Sequence, residues 1–552
     1  MILHSMNMRP VILAAAVLLA GSVSAQRDTS RQRQVTITST FKPTLKEAAK
    51  INFNASPPTA DTTRPRLQYQ LPNQNLLFAF QPGSLRPLAL SVDTGGRWDN
   101  ESYVKAGFGN LKTPFVQAGL SLGDGRTAGL NVYARHISSQ GKRLYQDFSN
   151  TNVDLNAFFQ TSKNIEWNAR VGALQEKYNK YGFQPETLIF PEDSIAVRFQ
   201  TWRGRLAFRN INRTEFGLSY APEIRVDVFS DQLSNTESNT YINLPLQKSV
   251  TKSIAVNLGL EASLGRYKPE DKDDVANNFI TVSPSLLYRR PNINIQAGLR
   301  PSWDNGEFKV FPNVMAEFST SDNRFAVQLG WIGHLRNSGY QYLAGINPWI
   351  WAPETVYNTQ IEERYAGIKG STGDHFSYSA KIGYNTLRNQ PLFNNDTMAT
   401  SGGKSFMVLN EPEMKVLHIG GEVAYTVGEK FSWINSFAMN NYNNLQVNEK
   451  AWGLLPIELR SSVRLQVMKD LYLNTELFAF DAPWVMLKND RKNLQGSFDL
   501  SAGLEFRVVK NVKVWAQFNN IFNREYQRWY QYPTYGFNFL GGVVFSFAQK
   551  NQ

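Results

Sequence analysis

The chain of 552 residues contains no cysteine. That excludes disulfide staples, thiolate chemistry and cysteine-based metal sites together, and leaves the redox compartment open. Histidine is scarce: His4, His136, His334, His375 and His418 are scattered singly, which gives a histidine metal centre or a histidine general base little support. No phosphate-binding glycine loop or metal-ligand cluster is present, so an enzyme and a bound cofactor or metal are not expected. Long apolar runs are missing too. After the N-terminus no segment approaches the roughly 18 apolar residues of a spanning helix, so the mature chain either stays in water or crosses a membrane as strands.

What is present begins with "MNMRPVILAAAVLLAGSVSA", in which Arg9 precedes an apolar run and the small-residue pattern Val23-Ser24-Ala25. This reads as a secretory signal peptide over residues 1–25. The formal charge is +12, from 58 Lys and Arg against 46 Asp and Glu. The basic residues are spread singly and form no nucleic-acid motif, so no nucleic-acid partner is expected. A dispersed excess of this kind suits anionic lipid head groups or an anionic solute.

From about residue 101 onward, alternation with a period of two recurs along the chain. In "TAGLNVYARHI" Ala128, Leu130, Val132 and Ala134 share one face, opposite Gly129, Asn131, Tyr133 and Arg135. In "IEWNARVGA" Ile165, Trp167, Ala169 and Val171 oppose Glu166, Asn168, Arg170 and Gly172. Tight turns such as Asp124-Gly125-Arg126, Ser162-Lys163-Asn164, Pro291-Asn292, Gly373-Asp374, Lys469-Asp470 and Lys510-Asn511 alternate with longer loops near 177–194, 337–355 and 387–411. Short turns on one side and mostly long loops on the other define a transmembrane antiparallel β-barrel. Counting back from Phe547 gives about 22 strands, the first near Ser102 to Gly109, with both ends on the short-turn side. A soluble propeller would show a blade repeat, and none is present. The reading is therefore all-β: signal peptide 1–25, a short irregular N-terminal segment 26–100, the barrel 101–547 and a C-terminal tail 548–552.

The stretch "YGFNFLGGVVFSF" is the expected closing strand. Phe537, Phe539, Val543, Phe545 and Phe547 face lipid, and its edge pairs with the first strand, because an open edge in hydrocarbon leaves backbone groups unsatisfied. The other face of the wall carries charge throughout. Arg203, Arg205 and Arg209 share one inward face and Arg460 and Arg464 another; they either set an anion selectivity or pair with inward glutamates, the simpler reading. In "NSGYQYLAGINPWIWAPETV" the aromatic cluster Tyr340, Tyr342, Trp349, Ile350 and Trp351 either binds a partner outside the cell or folds inward over the lumen.

The C-terminal stretch "VKVWAQFNNIFNREYQRWYQYPTYGFNFLGGVVFSF" resembles the end of TonB-dependent receptors. Asn520-Ile521-Phe522 leads to Glu525-Tyr526, and Pro533-Thr534-Tyr535-Gly536 precedes the closing strand. The resemblance implies an outer-membrane location in a Gram-negative bacterium, contact with outer-membrane lipid and with the barrel-assembly machinery, and TonB or other envelope proteins as partners. It also implies a plug larger than residues 26–100 provide, so the plug here is truncated or missing. Within "QVTITSTFKPTLKEAAKI", Val35, Thr36, Ile37, Thr38 and Ser39 resemble a Ton box, and read without the family they are an exported linker rich in Thr and Pro. Residues 26–100 either occupy part of the lumen or lie in the periplasm as a tether. Two functions follow: passage or uptake of a solute across the outer membrane, or a non-transporting accessory subunit of an envelope complex that binds partners through its loops and N-terminal segment.

Overall fold

The computed structural model describes residues 101–123, 127–182, 190–322, 324–395, 404–428, 430–487 and 490–548. The expected signal peptide, the segment 26–100 with Val35 to Ser39, and the expected turn at Asp124-Gly125-Arg126 lie outside these residues. The described chain is a closed antiparallel barrel of 22 wall strands, as the turn pattern predicts.

Closure is direct. The first strand, Glu101–Gly109, runs antiparallel to the last, Asn538–Ala548, with Val104 opposite Phe545 and Gly107 opposite Gly542. At this seam the chain needs glycine for space: a Cβ on Gly107 would stand 2.5 Å from the Trp515 ring. One wall strand is made of two pieces, Leu218–Tyr220 and Glu223–Asp231, both paired with Thr236–Ser249. Between them lies Pro222, which has no N–H for a ladder, so the strand is interrupted there.

The alternation has the consequence expected of a membrane wall. Phe539, Phe545 and Phe547 are exposed on the outside together with Val171, Trp202, Leu286 and Leu299. On the inner face Lys105, Asp154, Glu363 and Lys369 are buried. Inward charges pair across neighbouring strands, Arg170 with Asp154 at 2.7 Å, Lys381 with Glu363 at 2.7 Å and Lys513 with Glu505 at 2.9 Å, and Lys369 reaches Glu317 two strands away at 2.9 Å. The wall is thus apolar outside and polar inside, the arrangement of a membrane-spanning barrel with a wet lumen.

The short connections follow the expected turns, with Asn164 (φ 66°), Gly373 (φ 63°) and Gly428 (φ 55°) supplying left-handed backbone. On the opposite rim three connections are short where the general pattern is long. Residues 110–112, 232–235 and 305–306 join their strands tightly, the last through Asn305 (φ 50°) and Gly306 (φ 92°), the preferred pair for a two-residue hairpin. The remaining loops of that rim carry the helices Glu192–Ile195 and Tyr340–Ile346 and two small hairpins, Trp484–Met486 with Arg491–Asn493 and Gln527–Trp529 with Tyr532–Pro533.

Candidate functional site: a polar lumen beneath a roof of loops

The long loops turn inward. Those after Asn179, Ser338, Asn395 and Asn519 leave strands on widely separated arcs of the ring, yet their aromatic side chains meet. Trp349 lies 4.1 Å from Tyr532 between ring centroids, Tyr181 packs edge-on against both at 6.0 and 4.9 Å, and Phe406 stands 5.4 Å from Trp529. Trp349, Phe406, Trp529 and Tyr532 are essentially without solvent exposure.

Polar groups of Trp349, Tyr181, Tyr532 and Tyr535 are matched with backbone from elsewhere in the chain, whereas the buried Trp529 indole N–H finds no acceptor among the described residues. The Trp349 indole donates to the carbonyl of Asn179 at 2.9 Å, and the Tyr181 hydroxyl donates to that of Pro533 at 2.9 Å. The Tyr532 hydroxyl donates to the carbonyl of Lys404, and that of Tyr535 to Gln146. Residues 349–351 and Phe406 form a short parallel bridge, with the Trp351 amide on the Phe406 carbonyl at 2.8 Å and the Phe406 amide on the Trp349 carbonyl at 2.9 Å. Buried aromatic area supplies the cohesion, and the hydrogen bonds fix which loop lies against which. The result is a roof over the long-loop end of the lumen.

Burial alters the ionisation of the roof. Lys180, beside the roof and 4.3 Å from the Trp351 ring, is held down to about 8 by burial and by the charge of Lys404. Burial lowers Arg528 to about 10, where its guanidinium donates to the Gly453 carbonyl at 2.7 Å. Tyr532 and Tyr535 are pushed well above the ordinary phenol range, chiefly by burial.

The structure divides the aromatic loop cluster. Tyr340, Trp349 and Ile350 are buried, whereas Tyr342 is half-buried and Trp351 is 40% exposed. Three of the five are therefore spent inside the roof. Tyr340 packs on Phe229 and donates to Asp231 at 2.8 Å. Among the basic residues, Arg205 pairs with Glu223 at 2.7 Å and Arg209 with Glu166 at 3.0 Å. Arg460 stands over the Phe478 ring with Glu458 at 3.8 Å, and Arg464 over that of Tyr472. Arg203 shares the inward face of Arg205 and faces Asp227 in the strand register. The two groups occupy different arcs of the wall and do not converge on one site.

The C-terminal motif has a structural reason. Asn520, with φ 47°, donates to the carbonyls of Arg524 at 2.6 Å and Tyr535 at 2.8 Å and accepts from the Arg524 amide at 3.0 Å. One side chain thus pins both limbs of the last loop. Glu525 meets Arg143 of another loop at 2.7 Å. Tyr181, Trp529 and Tyr532 escape a sequence reading because strand periodicity is silent in loops, and Phe406 because it stands at the very start of its strand; for Trp529 and Tyr532 the signal is the density of rings in "YQRWYQYPTY".

Wall and roof together define a large membrane-spanning β-barrel with loops closing one mouth. No protein-family model matches the sequence, and no curated protein sequence matches it. Solved structures do share the architecture. The chain is similar to the FrpB iron transporter from Neisseria meningitidis, with a TM-score of 0.60, 10% identity and 81% of each chain covered. It is similar to the siderophore receptor PirA from Acinetobacter baumannii, with a TM-score of 0.61 and 9% identity over 81% of this chain and 80% of that one. The copper transporter OprC matches with a TM-score of 0.58 and 13% identity over 81% and 82%. At these identities the shared property is the fold.

Proposed function

We propose that this chain is an outer-membrane barrel of a Gram-negative cell that passes a solute through its lumen, with the loop roof as its outer gate. The observation that carries the reading is the roof itself, whose rings come from loops on separated arcs and meet over a lumen lined with charge. A barrel of this width cannot fill its interior with wall side chains, so the lumen is closed by what lies across it. A roof held by side-chain packing is a device that can open, because loops open locally at far lower cost than wall strands. The receptors and transporters that share the fold support uptake as the general activity.

On this reading Val35 to Ser39 would engage TonB, residues 26–100 would act as a reduced plug, and the wall arginines left partly exposed would bias the lumen toward anions. Sealing by the roof also suits a barrel that passes nothing and serves as an accessory subunit, with the partly exposed Tyr342 and Trp351 on the surface it would present to a partner.

The test is the flux of small sugars into proteoliposomes holding the full chain or the variant Trp349→Ala/Tyr532→Ala. Gating predicts slow swelling for the full chain and swelling at least several-fold faster for the variant. Equal, negligible rates for both, with both correctly inserted, would point to the accessory role.

A further inference from the structure

The outer surface of the wall carries a charged group at a depth where apolar residues are the rule. In the strand Tyr357–Thr372, Ile368 is exposed to the outside, and alternation places Arg364 and Glu362 on the same face. Arg364 lies eight residues from the short-turn end of its strand at Thr372. On five other strands the first outward basic residue above that rim, namely Lys177, Arg198, Arg266, Arg388 or Lys415, lies twelve residues from the strand end. At ~3.3 Å per residue and a tilt of ~40°, twelve residues rise about 30 Å and eight about 20 Å. The first figure is the upper rim of the apolar band; Arg364 lies below it, in the half of the band nearer the loops.

A charge at that level persists only with partners. Arg364 donates to Glu362 at 3.0 Å and stands over the Trp331 ring at 5.2 Å, while the Trp331 indole donates to the same carboxylate at 2.8 Å. These contacts orient the guanidinium without enclosing it, for its side chain is 61% exposed. Directly beside it, the small side chains of Ala316 and Ala366 leave a hollow of about 540 Å³ between Leu329, Ile382 and Leu417, with Trp331, Arg364 and Tyr384 also lining it. That volume is in the range of a small-ligand site. Two strands along, Lys415 adds a second outward cation, opposite Thr386, which in turn pairs with Glu362.

We infer that this groove is a lipid site, taking an acyl chain against Ala316 and Ala366 and the phosphate of a phosphorylated glycolipid of the loop-side leaflet on Arg364 and Lys415. An apolar trough ending at a cation flanked by Trp and Tyr complements an amphiphile whose charge is a phosphate and whose body is hydrocarbon. A free phosphate would gain nothing from the trough, and an uncharged lipid nothing from Arg364. The inference rests on the wall spanning the membrane and is independent of whether the roof opens.

The test uses the full chain purified in mild detergent, titrated with bisphosphorylated lipid A, with the same lipid after dephosphorylation and with phosphatidylglycerol, and read by native mass spectrometry. One lipid A should be retained per chain, and retention should fall at least ten-fold with the dephosphorylated lipid, with phosphatidylglycerol and in Arg364→Gln. Arg290→Gln, an outward arginine at the short-turn rim, should retain lipid A unchanged. The heat-modifiable migration of the folded barrel separates a failure to fold from a failure to bind. Equal retention by Arg364→Gln, or of the dephosphorylated lipid, overturns the site; equal retention of phosphatidylglycerol overturns its assignment to a glycolipid.

Discussion

At the scale of single residues, the polar interior and the roof make opposite demands. Lys381 and Glu363 form an ion pair on the inner wall at 2.7 Å, and both are largely buried. Removing one partner leaves a charge with neither water nor counter-ion, at a cost of about 3 kcal/mol, whereas replacing both by apolar groups is close to neutral. Lys381→Met should therefore lower the urea midpoint of the detergent-solubilised barrel, and Lys381→Met combined with Glu363→Leu should restore most of it. In the roof the relevant linkage is protonation. Lys180 titrates near 8 in the folded protein against 10.5 for an ordinary lysine, so between those values the unfolded roof binds the extra proton and stability rises with pH. Tyr532 and Tyr535 have raised values, so above about 10 their unfolded forms lose protons first and stability falls. Limited proteolysis of the loops should accordingly slow from about pH 8 to a minimum near pH 10, and Lys180→Met should remove the rise in protection on the alkaline side of 8.

At the scale of elements, the seam between Glu101–Gly109 and Asn538–Ala548 depends on Gly107 and Gly542 standing opposite each other beneath Trp515. Gly107→Val forces that ring and the facing backbone apart, at a cost of about 1–3 kcal/mol concentrated where the barrel closes. It should reduce the heat-modifiable, folded fraction on cold gel electrophoresis, while Val104→Ile, on the outward side of the same strand, should not. The strands themselves were legible in sequence because the pleat forces a period of two, and a wall with lipid outside and water inside writes that period as apolar against polar. The closing strand shows this at its two ends, with Phe539, Phe545 and Phe547 outside and Asn538 and Ser546 inside, while Leu540 and Val544 between them join the buried core. The roof was not legible, because a loop has no period and its contacts join residues as distant as Tyr181 and Tyr532. Nor was the tight hairpin at Asn305-Gly306 on the long-loop rim: its turn chemistry was there to read, but the general pattern of long loops on that side overrode it. The inward arginines were placed on the correct face, and alternation fixes no more than that. Which of them meet a glutamate depends on register, and register puts Arg205 near Glu223 and Arg209 opposite Glu166.

At the scale of the whole molecule, the wall supplies a polar passage and the loops a closure, and the central claim is that the closure is the gate. Single-channel conductance in a planar bilayer addresses it most directly, for the full chain, for the chain without residues 26–100, for Trp349→Ala/Tyr532→Ala, and for the two changes combined. If the roof is the outer gate, the full chain stays near zero, removal of 26–100 alone leaves the roof shut, and the combined change gives a large, long-lived conductance. A large conductance in the full chain, or on removal of 26–100 alone, would contradict the account, as would its absence from a correctly inserted barrel that carries both changes.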